Sequence, residues 1–174
     1  AEIAARQSPA WKPGHKQGYR GISFSWYVGE LMRRIDPKGR SLGQFFAEEV
    51  ASPMNAEFYI GLPSAVPTDR IANIRGWDVW AMLKSITGYP PHFLFAILNP
   101  WSLTAQTFRN PKIMGDLNNY NRPDLRAVEL PASNGIGKVR DIARLYGELA
   151  RGGKQLGIQS ATWDQLMGPL QLPK

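Results

Sequence analysis

Hydrophobic and polar positions along the chain fall into a few clear helical repeats separated by long proline-bearing stretches. The first repeat runs from Ser23 to Ile35. Phe24, Tyr27, Val28, Leu31, Met32 and Ile35 recur at i, i+3, i+4, i+7, i+8 and i+11, which gathers all six on one side of an α-helix. Asp36-Pro37-Lys38-Gly39 ends it, because a residue before proline is steered away from helical geometry and glycine suits the turn. Ser41-Leu42-Gly43-Gln44 has the order of a capping box and opens a second helix, with Leu42, Phe45, Phe46 and Val50 expected inward and Ser52-Pro53 as its stop. A third helix is predicted over 138–151. Val139, Ile142, Ala143, Tyr146, Leu149 and Ala150 keep helical spacing, and Gly152-Gly153 provides a left-handed cap. A shorter helix is expected from Ser160, acting as its cap, through Trp163, Leu166 and Met167.

Between these repeats the pattern thins. Residues 62–135 hold most of the prolines, and only Trp77 to Ile86 and Phe93 to Leu98 have helical character. Asn118 to Pro123 reads as a loop, and Phe58-Tyr59-Ile60-Gly61-Leu62 is the best short strand. Trp77, Trp80 and Trp163 suit core positions. The expected fold class is therefore mainly α with long ordered loops.

Composition removes several chemistries. The 174 residues contain no cysteine, so disulfides, thiolate metal sites and a cysteine nucleophile are excluded, and two histidines cannot supply a histidine-rich metal site. No metal and no cofactor are expected. The longest apolar run, Phe93 to Leu98, is far short of the ~20 residues of a bilayer span, so no membrane role is expected. The net charge of +7 raises a nucleic-acid reading, but the densest basic group, Arg33, Arg34, Lys38 and Arg40, has Asp36, Glu48 and Glu49 beside it. A solvated helix end explains that group, and no nucleic-acid partner is expected.

A search for catalytic sets finds little. None of the ten serines is followed three residues later by lysine, so the Ser-x-x-Lys arrangement that activates a serine is not in these residues. Gly-x-Ser-x-Gly and His-Glu-x-x-His are also missing, and Gly135-Ile136-Gly137-Lys138 lacks both the remaining glycines of a phosphate loop and a convincing preceding strand. Glu48 and Glu49 are expected to point apart on their helix. Ser133 and Asn134 are expected to cap the segment from Gly135 to Lys138.

Four segments taken together carry a resemblance. Trp11 to Tyr19 with its Pro13-Gly14 turn leads into an amphipathic helix containing Gly29-Glu30-Leu31. Ser41 to Val50 is followed by Phe58-Tyr59-Ile60-Gly61-Leu62-Pro63. Leu130 to Gly137 precedes Asp141-Ile142-Ala143-Arg144-Leu145-Tyr146 and Gly152-Gly153, and Thr162 to Met167 follows. In order and spacing these resemble class C β-lactamases and related esterases, with the animal β-lactamase-like proteins most similar around Pro37 to Ser41. The resemblance covers roughly residues 9–63 and 104–168.

It implies a partial β-lactamase-like (penicillin-recognising) fold, mostly the helical subdomain with little of the sheet. Residues 1–174 would form one partial domain, an internal piece without the upstream Ser-x-x-Lys helix and the downstream Lys/His-x-Gly strand. Tyr19 stands at the family's catalytic tyrosine, whose implied role is to take the serine proton and return it to the leaving group. A phenol with an ordinary pKa near ~10 needs a neighbouring cation for that role. Gly21 occupies the position of the family asparagine and offers no side-chain amide, which disfavours β-lactams and leaves an ester or peptide-like small molecule as the implied substrate. Arg20 has a guanidinium that could meet a substrate carboxylate. The parent is expected to be a serine hydrolase working through an acyl-serine, with these residues inactive by themselves. The alternative is a non-catalytic scaffold of the same fold used for binding or assembly.

Overall fold

The computed structural model describes residues 2–76, 78, 80 and 84–169. Helices dominate: α1 (Glu2–Arg6), α2 (Phe24–Ile35), α3 (Leu42–Phe46), α4 (Pro91–Leu98), α5 (Leu103–Arg109), α6 (Pro123–Arg126), α7 (Val139–Ala150) and α8 (Ser160–Leu166). The single sheet among the described residues is the antiparallel pair β1 (Phe58–Tyr59) and β2 (Ile136–Gly137), in the register Phe58 with Gly137 and Tyr59 with Ile136. Mainly α with long loops is thus the observed class.

Local signals place the elements well. Ser41 caps α3 with the full reciprocal pair: its hydroxyl accepts from the Gln44 amide, and its own amide donates to Gln44 Oε1 at 2.9 Å. A wide π turn, Ala47–Ala51, continues α3 to Ser52. Gly152 and Gly153 take φ of 95° and 66° after α7, where an L side chain would be strained. Ser160 is not a cap. It is the first residue of α8, and the flanking Gln159 makes no side-chain cap bond. Two elements escape the hydrophobic pattern. Helix α5 is announced only by Ser102, whose hydroxyl accepts from Ala105 N at 3.0 Å. Strand β2 uses a glycine-flanked segment too short to show alternation. Half of the Trp77 to Ile86 helix expectation, Trp77 included, lies outside the described residues.

Packing departs from the periodicity. On α2 the exposed side includes Phe24, Leu31 and Ile35, while the fully buried position is Ser25. The reason is a polar one: Ser25 Oγ accepts the Ala132 amide at 3.1 Å, which brings the 130–134 segment over that side of the helix. On α7, Val139 and Tyr146 are exposed and Asp141, Leu145 and Glu148 are buried, again at helical spacing but rotated from the apolar stripe. Both acids receive main-chain amides, Asp141 from Glu57 N at 2.9 Å and Glu148 from Gln155 N at 2.8 Å. A buried carboxylate satisfied by N–H donors is tolerated where a bare one would not be. The Gln155 amide, with Arg151 beside it, holds the Glu148 carboxyl below the usual range. Trp80, expected in the core, is 75% exposed, and Trp163 is half-buried.

In the basic cluster Arg33, Arg34 and Lys38 are exposed, as a solvated helix end requires, but Arg40 is a structural joint. Arg40 is nearly enclosed. It pairs with buried Asp36 at 2.9 Å, and its Nη1 meets both Glu48 and Glu49 at 2.7 Å. The two glutamates therefore converge on one guanidinium instead of pointing apart, because Arg40 sits between their reaches. Hydrogen bonding to Arg40 lowers the Asp36 carboxyl from 3.8 to about 2. Such a group gives stability that is complete above its ordinary pKa and is lost as pH falls through its folded value. Asp36→Asn should therefore be less stable than wild type at neutral pH and show a flatter stability profile between about pH 4 and pH 2. Denaturant melts at stepped pH check this.

Glu129 ties the α3 start to the return chain. Its carboxylate accepts from Ser41 Oγ at 2.5 Å and Gly43 N at 3.0 Å. A Cβ on Gly43 would sit 2.2 Å from the Ile60 carbonyl and 2.7 Å from Glu129 Oε1, so only glycine permits this approach. Gly43→Ala should cost about 2–3 kcal/mol in chemical denaturation, at the upper end for overpacking, because backbone stands in the way.

Candidate active-site groove

Tyr19 is positioned by a loop that closes on itself. Gly14 adopts φ of 84° at the turn after Pro13, and the His15 amide donates to the Lys12 carbonyl at 3.2 Å. Beyond the turn the Trp11 indole N–H donates to the Lys16 carbonyl at 2.9 Å, and its ring lies over Gly18. A Cβ at position 18 would meet ring atoms of Trp11 at 2.6 and 2.8 Å. The Trp11 to Tyr19 run thus has a physical unity: the tryptophan folds back on the glycine that precedes the tyrosine.

Tyr19 is 77% exposed, and its hydroxyl has no hydrogen bond among the described residues. Its ring lies 6.2 Å from Phe108 of α5, which in turn meets Phe93 of α4 edge-on at 6.4 Å. These rings line an open groove of about 1140 Å³ between the N-terminal loop, α2 and α5. Lys16 and Arg20 contribute its cations, and no carboxylate belongs to its described lining. The described lining thus offers positive charge to an anion at an open surface.

Arg20 and Gly21 follow at once. The Arg20 guanidinium stacks on the Tyr27 ring, 4.4 Å from its centroid, and the Tyr27 hydroxyl donates to Gln7 Oε1 at 2.6 Å. Gly21 packs on α5: a Cβ there would stand 3.2 Å from the Thr107 carbonyl and 3.4 Å from Thr107 Cγ2. The absence of a side chain at 21 therefore goes with a close backbone approach of α5, a relation that sequence reasoning missed. Its only sequence signal was the Ser102 cap ahead of Leu103 and Phe108.

The other singled-out polar residues do not enter this groove. Ser133 Oγ is hydrogen-bonded to the Tyr120 hydroxyl rather than capping the next segment. Asn134 is buried, accepts from Leu130 N at 3.1 Å, and donates to the carbonyls of Leu125 and Val128. No group of three or more His, Asp or Glu side chains among the described residues could hold a metal ion, and none of the described helices is long and apolar enough to cross a membrane.

The family model described as Beta-lactamase matches residues 1–172, and the chain belongs to the β-lactamase family. Among curated proteins it is similar to the Esterase/beta-lactamase LipL of Mycobacterium tuberculosis, 26% identical over 162 residues, which cover 88% of this chain and 34% of that protein. Among solved structures it is similar to EstA from Arthrobacter nitroguajacolicus Rue61a (TM-score 0.60, 28% identity, 83% of this chain and 36% of that one). It is similar also to a novel penicillin-binding protein homolog from Caulobacter crescentus (TM-score 0.59, 25% identity, 98% of this chain and 43% of that one). The chain spans about a third of the length of the curated relative.

The loop geometry has a direct check. Gly18→Ala should push the Trp11 ring off the loop and break its bond to Lys16, at a cost of about 1 kcal/mol. The Trp11 indole proton should then exchange faster with solvent in NMR spectra. Unchanged protection would mean that the loop is held by other contacts.

Proposed function

We propose that these residues are the helical, tyrosine-bearing part of a serine hydrolase that cleaves small esters or peptide-like amides through an acyl-serine. The serine–lysine pair and the Lys/His-x-Gly strand would then lie outside the 174 residues, which would be inactive alone. The observation that carries the reading is the exposed Tyr19, held by the Trp11–Gly18 loop on a groove with cations and no carboxylate. The broad apolar surface left on α2, with Phe24, Leu31 and Ile35 uncovered, fits a piece that packs against further structure. The relative named Esterase/beta-lactamase supports the ester substrate class.

In the proposed step, Tyr19 as phenolate accepts the serine hydroxyl proton while the serine oxygen attacks the substrate carbonyl. The tetrahedral adduct collapses, the C–O or C–N bond breaks, and the tyrosine returns its proton to the leaving alcohol or amine. Water then hydrolyses the acyl-serine by the same proton path. Gly21 favours esters over β-lactams, because it offers no side-chain amide to a substrate, and a Cβ there would already be tight against the Thr107 carbonyl at 3.2 Å.

In the complete protein, Tyr19→Phe should lower kcat/KM for a p-nitrophenyl ester by about 100-fold or more while leaving the thermal midpoint nearly unchanged, since only an exposed hydroxyl is removed. Full activity in that variant would end the catalytic assignment. An intact wild-type protein that neither hydrolyses esters nor reacts with a fluorophosphonate would favour the non-catalytic scaffold instead.

A further inference from the structure

A second cavity, of about 350 Å³, lies between the 66–74 loop and the 120–138 segment and shares no lining residue with the Tyr19 groove. Its walls are fixed by side-chain bridges. Asn121 exchanges two 2.7 Å hydrogen bonds with the Ile74 backbone, and Asn118 Oδ1 accepts from Gly76 N. Arg126 faces this space and is only 5% exposed. Its Nε donates to the Tyr120 carbonyl at 3.0 Å, and Nη2 donates to Asn121 Oδ1 at 3.3 Å and Asn73 Oδ1 at 3.5 Å.

Every one of those acceptors is neutral, and no carboxylate reaches the guanidinium among the described residues. The nearby acids have other partners, Glu57 included, which lines the same cavity together with Arg70 and Lys138. Glu57 is shared by Arg70 and Lys138 at 2.8 and 2.6 Å, Asp124 pairs with Arg122, and Glu129 serves Ser41 and Gly43. A dehydrated guanidinium is costly without an anion, so buried charges are ordinarily paired. The rest of the wall says what the anion should look like. Tyr120 and Ser133 are hydrogen-bonded to each other, and whichever donates, the other keeps one O–H proton for a further acceptor. Val66, Ile71, Ile74 and Leu125 supply apolar surface.

We infer that this cavity binds a small monocarboxylate with an apolar body, its carboxylate on Arg126 and its carbon chain against Val66, Ile71, Ile74 and Leu125. A guanidinium fork matches a carboxylate. The apolar wall disfavours a strongly hydrated anion such as phosphate, the other cations of the lining, Arg70 and Lys138, are already paired with Glu57, and the cavity volume falls in the range of small-ligand sites. The inference does not depend on the hydrolase reading, although hydrolysis of esters or amides releases acids of this class.

Calorimetric titration of the full chain with hexanoate, acetate, 1-hexanol and inorganic phosphate tests it. Hexanoate should bind, with acetate, hexanol and phosphate each at least tenfold weaker. Arg126→Gln should weaken hexanoate at least tenfold. Should that variant misfold, Ala72→Phe provides the check: position 72 lines the cavity and is exposed, so a phenyl ring there should block hexanoate while leaving the melting temperature unchanged. Absence of hexanoate binding at millimolar concentrations, equal binding of hexanol or phosphate, or full binding by Ala72→Phe would each overturn the assignment.

Discussion

The carboxylate of Glu129 holds together three stretches of chain that lie far apart in sequence. By accepting from Ser41 Oγ and Gly43 N it sits at the positive end of α3, and its side chain also packs on Gly61, where the backbone turns at φ of 79°. That turn lets Leu62 N reach the Arg126 carbonyl at 2.8 Å, which anchors the end of α6. One residue beyond Glu129, Leu130 is almost fully buried, and Ala132 then bonds Ser25 of α2. The clamp thus sets where α3, the β1 segment and α2 meet. It also explains why Gly43 and Gly61 are glycines: each would bring a Cβ within 3 Å of Glu129.

This dependence on polar bonds explains which parts of the fold were legible in the sequence. Elements whose signals are local came through: the capping box at Ser41, the Pro-Gly turn at 13–14 and the Gly152-Gly153 cap are decided by neighbours a few residues away. The faces of α2 and α7 did not, because burial there follows Ser25 and Asp141, each held by a distant main-chain amide, and Glu148, held by the Gln155 amide beyond the helix end. Periodicity assumes that apolar residues choose the inner face. In a chain where carboxylates and hydroxyls carry the long-range contacts, that assumption is off by one helical position. Arg40 shows the same thing: in sequence it is one of several basic residues near a helix end, while in the fold it gathers three carboxylates.

The Tyr19 region was legible for a different reason. Trp11, Pro13, Gly14, Gly18 and Tyr19 lie within nine positions, and their contacts are among themselves, so order in sequence is close to order in space. What could not be read is the far wall. Phe108 and Thr107 arrive from almost ninety residues away, on a helix with a weak hydrophobic repeat. Thr107 lies close enough to Gly21 that a Cβ there would be tight against it. A side chain at position 21 would require the Thr107 carbonyl to give by a few tenths of an ångström.

Three places in the fold show how one chain treats positive charge in different ways. Around Asp36 and Arg40 the charges are matched and enclosed, and the consequence is a rigid joint. In the Tyr19 groove, Lys16 and Arg20 stand at an open surface, where solvent screens them until something covers the groove. Arg126 is the intermediate case, enclosed like Arg40 but given only carbonyl and amide oxygens. Enclosure makes charge expensive and mismatch makes it selective. A dehydrated cation with neutral partners discriminates between a carboxylate and its alcohol more sharply than a solvated one can. The positions where this fold leaves its cations incompletely matched are therefore the ones at which binding chemistry should be sought, and the fully matched cluster at Arg40 is where stability alone is at stake.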